Sequence, residues 1–466
     1  MAHEHVNGAL TSAGLTRDLR ERAAEVGGTY WAALLVFGLL AIGGLYALFS
    51  LLTANPKPPL PAWGYPAATV AFILSTFQGA PLMAFATRLA KGYWALPLRR
   101  ASEMGALAGV VNAPLFILLL NQLPTQVNRT SIWYADNGLA GKALGFFPAL
   151  PGWPIPAPYF WDAFLMLLLT FDGLALLWLS GRVDSAARSG GSSSGPGSGW
   201  WGTGKQWNVL SGGVVVLGAF YLMTLVFVHV FVVSDLAISL VPGWRSAIFP
   251  PYHAVSGLQA GAATVVLTAG LLRQFGGLRR YIGMDAFWGA AKLMLGTSLL
   301  FFYFTWSELI TNWYGRTPDE LFLLALNMFG PYMPLFIISF CCNFVLPLGL
   351  LIWNPIRVSV RGPIVVAAII FFGNMVDRFR IYVSSWSVAA TPVGQHLAVE
   401  QVPPFQAPSL FDALIFFGAL GAVGVLYLVG FKLLPALSMW EYKTGVLLTI
   451  EQAYANTEVR VIAKPR

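Results

Sequence analysis

The groups able to do chemistry in this chain stand out because so little around them is polar. Between Leu225 and His253 an apolar run carries His229, Ser234, Asp235 and Ser239, breaks at Pro242-Gly243, and resumes after Pro250-Pro251 with Tyr252 and His253. Ionisable groups at the edge of an apolar segment are costly unless they serve a site or a water-filled path. The simpler alternative is a helix end wetted by lipid headgroups. Other apolar runs hold Asp162 after Trp161, Asp172, Glu308 after Trp306, and Asn374, Asp377, Arg378 and Arg380 in one stretch. Gln78 is a further, uncharged member of the set. A carboxylate or neutral imidazole within hydrogen-bond reach of a ligand can take its proton or return one.

Each residue also has a plain structural reading. Asp377 with Arg380 (i, i+3), or Asn374 with Arg378 (i, i+4), fits a satisfied pair that locks helices together. Glu308 fits an interface anchor beside Trp306, Trp313 and Tyr314. A single histidine in such a segment is commonly packed and hydrogen-bonded, and Gln78 fits a polar link between helices. Asp172 is harder to dismiss, because a carboxylate at mid-depth needs a partner or a proton.

The elements that must position these groups are membrane helices. Of 466 residues, 57% are hydrophobic and only 10% charged, against about a quarter charged in a typical soluble domain. Mean hydropathy is +0.66. The chain therefore reads as an all-α, polytopic membrane protein, and its net charge of +8 reflects loop charges that set orientation rather than nucleic-acid binding. Crossing a bilayer takes about 20 apolar residues per helix. Ten segments qualify, near 29–53, 65–88, 102–121, 158–180, 208–233, 250–272, 287–312, 321–352, 363–386 and 410–437. The eighth is long enough to kink, with Pro331, Pro334 and Pro347 as the means.

Lys and Arg gather in alternate loops. Arg17, Arg20 and Arg22, then Arg88, Lys91, Arg99 and Arg100, then Arg182, Arg188 and Lys205, then Arg273, Arg279 and Arg280, then Arg357 and Arg361 share one side with the basic C-terminal residues. The opposite loops hold only Lys57, Arg129, Lys142, Arg245 and Arg316. Both termini are expected on the cytoplasmic side, with 1–28 as a polar lead segment, not a cleaved signal, and 441–466 as a tail in a surface strand or helix. Residues 189–204, rich in Gly and Ser, form a flexible linker with a four-helix unit on either side. The outer loop 121–157 suits a docking surface, and a second outer segment, 387–409, contains His396 and Glu400. At 1.5 Å of rise per residue, Asp162, His229, Asp235, Glu308 and the Asn374–Arg380 stretch fall in the outer half. His253 falls at the outer rim, Gln78 and Asp172 near mid-depth, and Glu103 and Lys292 toward the cytoplasmic end.

Oxidation of a quinol removes two electrons and two protons, so it needs bases beside the hydroxyls and an aromatic-walled slot open to lipid. The outer His-plus-Asp set meets that demand. A transporter also uses carboxylates inside the membrane, and the residues alone leave both possibilities open. A bis-histidine haem needs two inward histidines at matching depth, and with His253 at the rim this chain is expected to hold no haem. Adjacent Cys341 and Cys342 suggest neither a disulfide nor a metal cluster, and no metal-ligand spacing is present. Electrons would then leave to a partner.

The run His229…Asp235-Leu236-Ala237-Ile238-Ser239-Leu240-Val241-Pro242-Gly243-Trp244…Ile248-Phe249-Pro250-Pro251-Tyr252 resembles the NrfD/PsrC (polysulfide reductase membrane subunit) family. It is most similar to the ten-span ActC-type subunit of alternative complex III. Trp63-Gly64-Tyr65-Pro66, Arg100-Ala101-Ser102-Glu103-Met104, Trp161-Asp162, Trp306-Ser307-Glu308, Trp313-Tyr314-Gly315, Phe329-Gly330-Pro331-Tyr332, Cys342-Asn343 and Asp377-Arg378-Phe379 extend the likeness over about 29–440. It implies two four-helix bundles, about 65–233 and 250–386, with flanking helices 29–53 and 410–437, in a bacterial inner membrane. It also implies a quinol, such as menaquinol, bound at the periplasmic side by Gln78, Trp161, Asp162, His229 and Asp235, with Asp162, His229 and Asp235 acting on it. Asp172, Glu308, Asp377, Arg378 and Arg380 become candidates for a proton path. The implied partners are an iron–sulfur subunit that takes the electrons, a second NrfD-like subunit, c-type cytochrome subunits and lipid. The chain departs from the pattern at Gln78, where ActC-type members usually carry a histidine in a His-Ala-Gly-Thr context, and at Asp377, where Glu is more frequent. Glutamine cannot accept a quinol proton. The alternatives are a scaffold subunit whose quinol site no longer works and an ion-coupled transporter, which would be expected to show paired broken helices in inverted halves.

Overall fold

A computed structural model describes residues 14, 17, 18, 21, 27–123, 158–189, 199–389, 401–454 and 457–462. The expected outer loop 121–157, most of the linker 189–204, the lead segment 1–28 and the stretch with His396 and Glu400 lie largely or wholly outside those residues. Among the described residues nine helices are long and apolar enough to cross a membrane. The chain is an α-helical, multi-pass membrane protein.

The first span is α1, Gly28–Thr53. The second, Leu60–Leu89, is a one-turn start at Leu60–Trp63 followed by α2, Gly64–Thr76, and α3, Pro81–Leu89. Pro81 has no N–H to continue the ladder, and the turn before it is widened, with the Gln78 N–H reaching back to the Ile73 carbonyl at 3.1 Å. The third span joins α4, Arg99–Glu103, to α5, Gly109–Leu120, through a tight 3₁₀ stretch at Met104–Ala108. These two irregular stretches lie against each other. A Cβ on Gly105 would sit 2.2 Å from the Phe77 carbonyl oxygen, so only glycine permits the approach.

Then follow α6, Pro158–Ser189, α7, Gly204–Leu236, α8, Phe249–Phe275, and α9, Met284–Gly315. Thr203 and Gln206 cap α7 reciprocally, which satisfies two of its orphan N–H groups. The single kinked segment expected at 321–352 is instead divided. A short α10, Pro318–Leu324, and one π turn at Ala325–Phe329 end at Gly330, because the residue before Pro331 is pushed out of helical geometry. The span proper, Met333–Leu351, is α11, Met333–Phe340, a second π turn at Cys341–Val345, and α12, Leu346–Leu351. After α13, Asn354–Arg357, comes α14, Arg361–Ala389, then α15, Leu410–Leu433. The tail contains both a helix and strands: α16, Met439–Leu448, and an antiparallel hairpin of β1, Thr449–Tyr454, with β2, Thr457–Ile462, in which Thr449 pairs with Ile462 and Tyr454 with Thr457.

Span two is the centre of the assembly. Its residues are nearly all buried, and α2 packs on α5, α7, α8, α14 and α15. The outlying α1 lies along α15, where Gly44 and Gly418 let the two backbones touch.

Candidate functional site

α7 and α8 are consecutive, antiparallel and joined by a short compact turn, and each delivers one histidine to the same level. His229 Nδ1 lies 2.9 Å from His253 Nδ1, and His253 Nε2 lies 2.9 Å from the Tyr382 hydroxyl on α14. All three side chains are fully buried. His253 is therefore not at the rim as the sequence suggested. The turn between the helices folds back over the start of α8, with Trp244 packed on Phe249 at 4.7 Å between ring centroids and Phe249 stacked on Tyr252. The premise that only one histidine faces inward is overturned with it. Gly257 faces the His229 ring, and Gly79 and Gly261 bring the broken turn of span two against α8.

Beneath the histidines α14 supplies a charge network. The Arg378 guanidinium donates to the His253 carbonyl (3.1 Å), to Ser256 Oγ (2.7 Å), to Ser75 Oγ (3.0 Å) and to Asp377 Oδ2 (3.2 Å). Asp377 Oδ1 also accepts from Tyr252 (2.7 Å), Ser339 (3.1 Å) and Arg380 (2.8 Å). The π turns contribute here. A widened turn leaves carbonyls without their usual donor, and the Asn327 carbonyl accepts from Arg380 at 3.1 Å while that of Asn343 accepts from Gln259 at 2.7 Å. The i, i+3 pair Asp377–Arg380 forms as its spacing suggested. Asn374 turns instead to the Ser256 carbonyl at 3.4 Å.

The other singled-out residues are distributed as follows. Gln78 is buried at the break in span two. Its side-chain oxygen accepts from Asn112 at 2.6 Å, and its main-chain carbonyl, freed by the break, accepts from the Tyr221 hydroxyl at 2.5 Å. Asp162 and Asp235 are buried at the same end of α6 and α7, 3% and 8% exposed. Trp161 points the other way: it is 40% exposed, edge-on to Phe160 and Phe164. Glu308 faces inward and accepts from Ser246 (2.6 Å) and Asn312 (3.3 Å), while Trp306, Trp313 and Tyr314 face outward. Asp172 is 9% exposed, and neither carboxylate oxygen has a hydrogen-bond partner among the described residues.

A second cluster lies about 33 Å along α6 from Asp162 at 1.5 Å per residue. It joins Arg88, Arg99 and Arg100, expected only as loop charges, to Glu103, expected toward the cytoplasmic end, and to Asp184 and Glu441, which the sequence did not single out. Arg88 binds Glu103 and, at 2.9 Å, Glu441; Arg99 binds Glu441 at 2.8 Å. Arg100 binds Glu103 at 2.9 Å and Asp184 at 2.7 Å. The other oxygen of Asp184 accepts the Met439 and Trp440 N–H groups at the start of α16. Three guanidinium groups thus face three carboxylates with almost no solvent. Burial would raise the Glu441 carboxyl, but Arg88 and Arg99 outweigh it and hold it down at about 2.

Tyr382, Asn112 and Tyr221 escaped the sequence reading because a tyrosine or asparagine in an apolar run carries no spacing signal. Among the described residues no group of three or more His, Cys, Asp or Glu is arranged to hold a metal ion. No family model matches the chain, and no curated protein matches it.

Proposed function

We propose that this chain is the membrane subunit of a quinol-oxidising electron-transfer complex in a bacterial inner membrane. In this reading it has ten spans, α14 being the tenth despite its charges, both termini are cytoplasmic, and the spans form two four-helix bundles. Quinol binds at the periplasmic end beside Asp162, His229 and Asp235. Its two protons pass to carboxylates, Asp162 or Asp235, and its two electrons to an iron–sulfur subunit docked outside. c-Type cytochrome subunits and a second NrfD-like subunit complete the complex. The observation that carries this reading is a fully buried imidazole, His229, whose Nε2 has no partner among the described residues, at the end of α7 that also buries Asp235. A buried polar atom left open in this way calls for a ligand or water. Asp377, Arg378 and Arg380 are so fully engaged with one another that they serve to couple helices rather than to conduct protons. Asp172 and Glu308 remain the candidates for a proton path.

A scaffold subunit without a working quinol site is the second reading, favoured by the engagement of the Gln78 side-chain oxygen with Asn112. The test is quinol-dependent acceptor reduction by the purified complex. Asp162→Asn or Asp235→Asn should lower turnover by about 100-fold, the scale of general acid–base catalysis. Undiminished turnover in both variants would sink the catalytic assignment, and absence of any bound quinone from the wild-type complex would favour the scaffold.

A further inference from the structure

The chain Tyr382–His253–His229 admits one consistent placement of its protons. The Tyr382 hydroxyl is fully buried, and His253 Nε2, 2.9 Å away, is the one acceptor it has among the described residues. A buried O–H that donates to nothing is costly, so this hydroxyl donates to Nε2. Neither imidazole touches a carboxylate among the described residues, and the Arg378 guanidinium holds the His253 carbonyl at 3.1 Å. A charged ring there would be an unpaired buried cation, so both rings are neutral. A neutral imidazole carries one N–H. With Nε2 accepting from tyrosine, His253 bears its proton on Nδ1 and donates it to His229 Nδ1, 2.9 Å away. His229 must then carry its own proton on Nε2, the atom that has no partner among the described residues. The reverse placement would strand both the tyrosine proton and a bare nitrogen.

We infer that His229 Nε2–H is a preset hydrogen-bond donor aimed at an acceptor oxygen of the bound quinone, held in that tautomer by His253 and Tyr382. The assignment of the oxygen to a quinone rests on the function proposed above; an ordered water offers the same chemistry. His229 is then a positioning residue that grips the ring oxygen, and a quinol proton cannot go to a nitrogen that already holds one. Proton acceptance falls to a carboxylate. Gly257 leaves the ring its room, since a Cβ there would lie 2.5 Å from Cε1 and 2.7 Å from Nε2 of His229.

Nitrogen-15 NMR of the histidine-labelled complex tests this, with the His229 signals identified by His229→Gln or, should that variant not assemble, by their displacement in Gly257→Ala. The expected result is the shift pair of an Nε2-protonated ring. Tyr382→Phe should redistribute that proton over both nitrogens, because the acceptor role of His253 is no longer imposed. A proton on Nδ1 of wild-type His229 would overturn the inference while leaving the quinol site itself standing. Menadione, a short-chain naphthoquinone, should displace the Nε2 signal. No displacement, with the tautomer as expected, would make water the acceptor and overturn the quinone assignment.

Discussion

Two buried aspartates in this chain are expected to behave oppositely when neutralised. Asp377 accepts from Arg378, Arg380, Tyr252 and Ser339. Asp377→Asn leaves two buried guanidinium groups without their anion, and removal of one partner from a buried ion pair costs about 3–5 kcal/mol. Asp172 has no hydrogen bond to lose among the described residues, so Asp172→Asn removes a buried charge without stranding a partner and should not destabilise the fold. Thermal unfolding of the detergent-solubilised protein separates the two. Equal losses would mean that Asp172 has an anchoring partner after all.

Helix packing depends on glycine at a few points. α1 rests against α15 where a Cβ on Gly418 would lie 2.3 Å from the Gly44 Cα. No lipid-like softness exists at that distance, so Gly418→Ala forces the helices apart at a cost of about 1–3 kcal/mol. Gly38→Ala, on the same α1 with nothing among the described residues within 4 Å of the new carbon, should be harmless or slightly stabilising. The comparison is read as a difference in melting midpoint, and matching midpoints would show that α1 is not seated on α15. Breaks act at the same scale. The widened turns in span two and in Met333–Leu351 weaken their own ladders but free the carbonyls of Gln78 and Asn343 for Tyr221 and Gln259. Side chains on other helices are thereby tied to main chain where a regular helix offers nothing.

Over the whole molecule, the end opposite the histidines is closed by the tail. Glu441 brings α16 onto Arg88 and Arg99, and Asp184 holds the first N–H groups of that helix. The Glu441 carboxyl, ordinarily near 4.5, is held at about 2. A carboxyl lowered on folding lends stability that is complete above its unfolded value and is lost as pH falls through the folded one. The tail should therefore stay docked at pH 5 and loosen between about pH 4.5 and 2. Limited pepsin digestion across that window should release the tail fragment progressively as pH falls, and Glu441→Gln should release it with little further dependence on pH. A tail equally resistant at both limits would remove Glu441 from this role.

Class and segmentation were legible from residue order alone. Long apolar runs with so few charges have no stable home in water, and the runs at 29–53, 208–233, 250–272 and 287–312 each fall within one helix of α1, α7, α8 or α9, while that at 410–437 runs past the end of α15 at Leu433. The Asp377–Arg380 pair was legible too, because i, i+3 neighbours meet on any helix whatever surrounds it. The division of 321–352 was only half visible: the prolines marked a bend, but whether Gly330 merely kinks the helix or ends it depends on what packs beside it. The meeting of His229 with His253 and Tyr382, of Arg100 with Asp184, and of Glu441 with Arg88 belongs to the tertiary structure. Lipid is as apolar as the protein interior, so a membrane helix can be greasy on every side and no periodicity marks its inner face. Depth counted along the chain is only approximate, as His253 shows once the turn before α8 folds back over it; which polar groups face one another is decided only when the helices have rotated into contact.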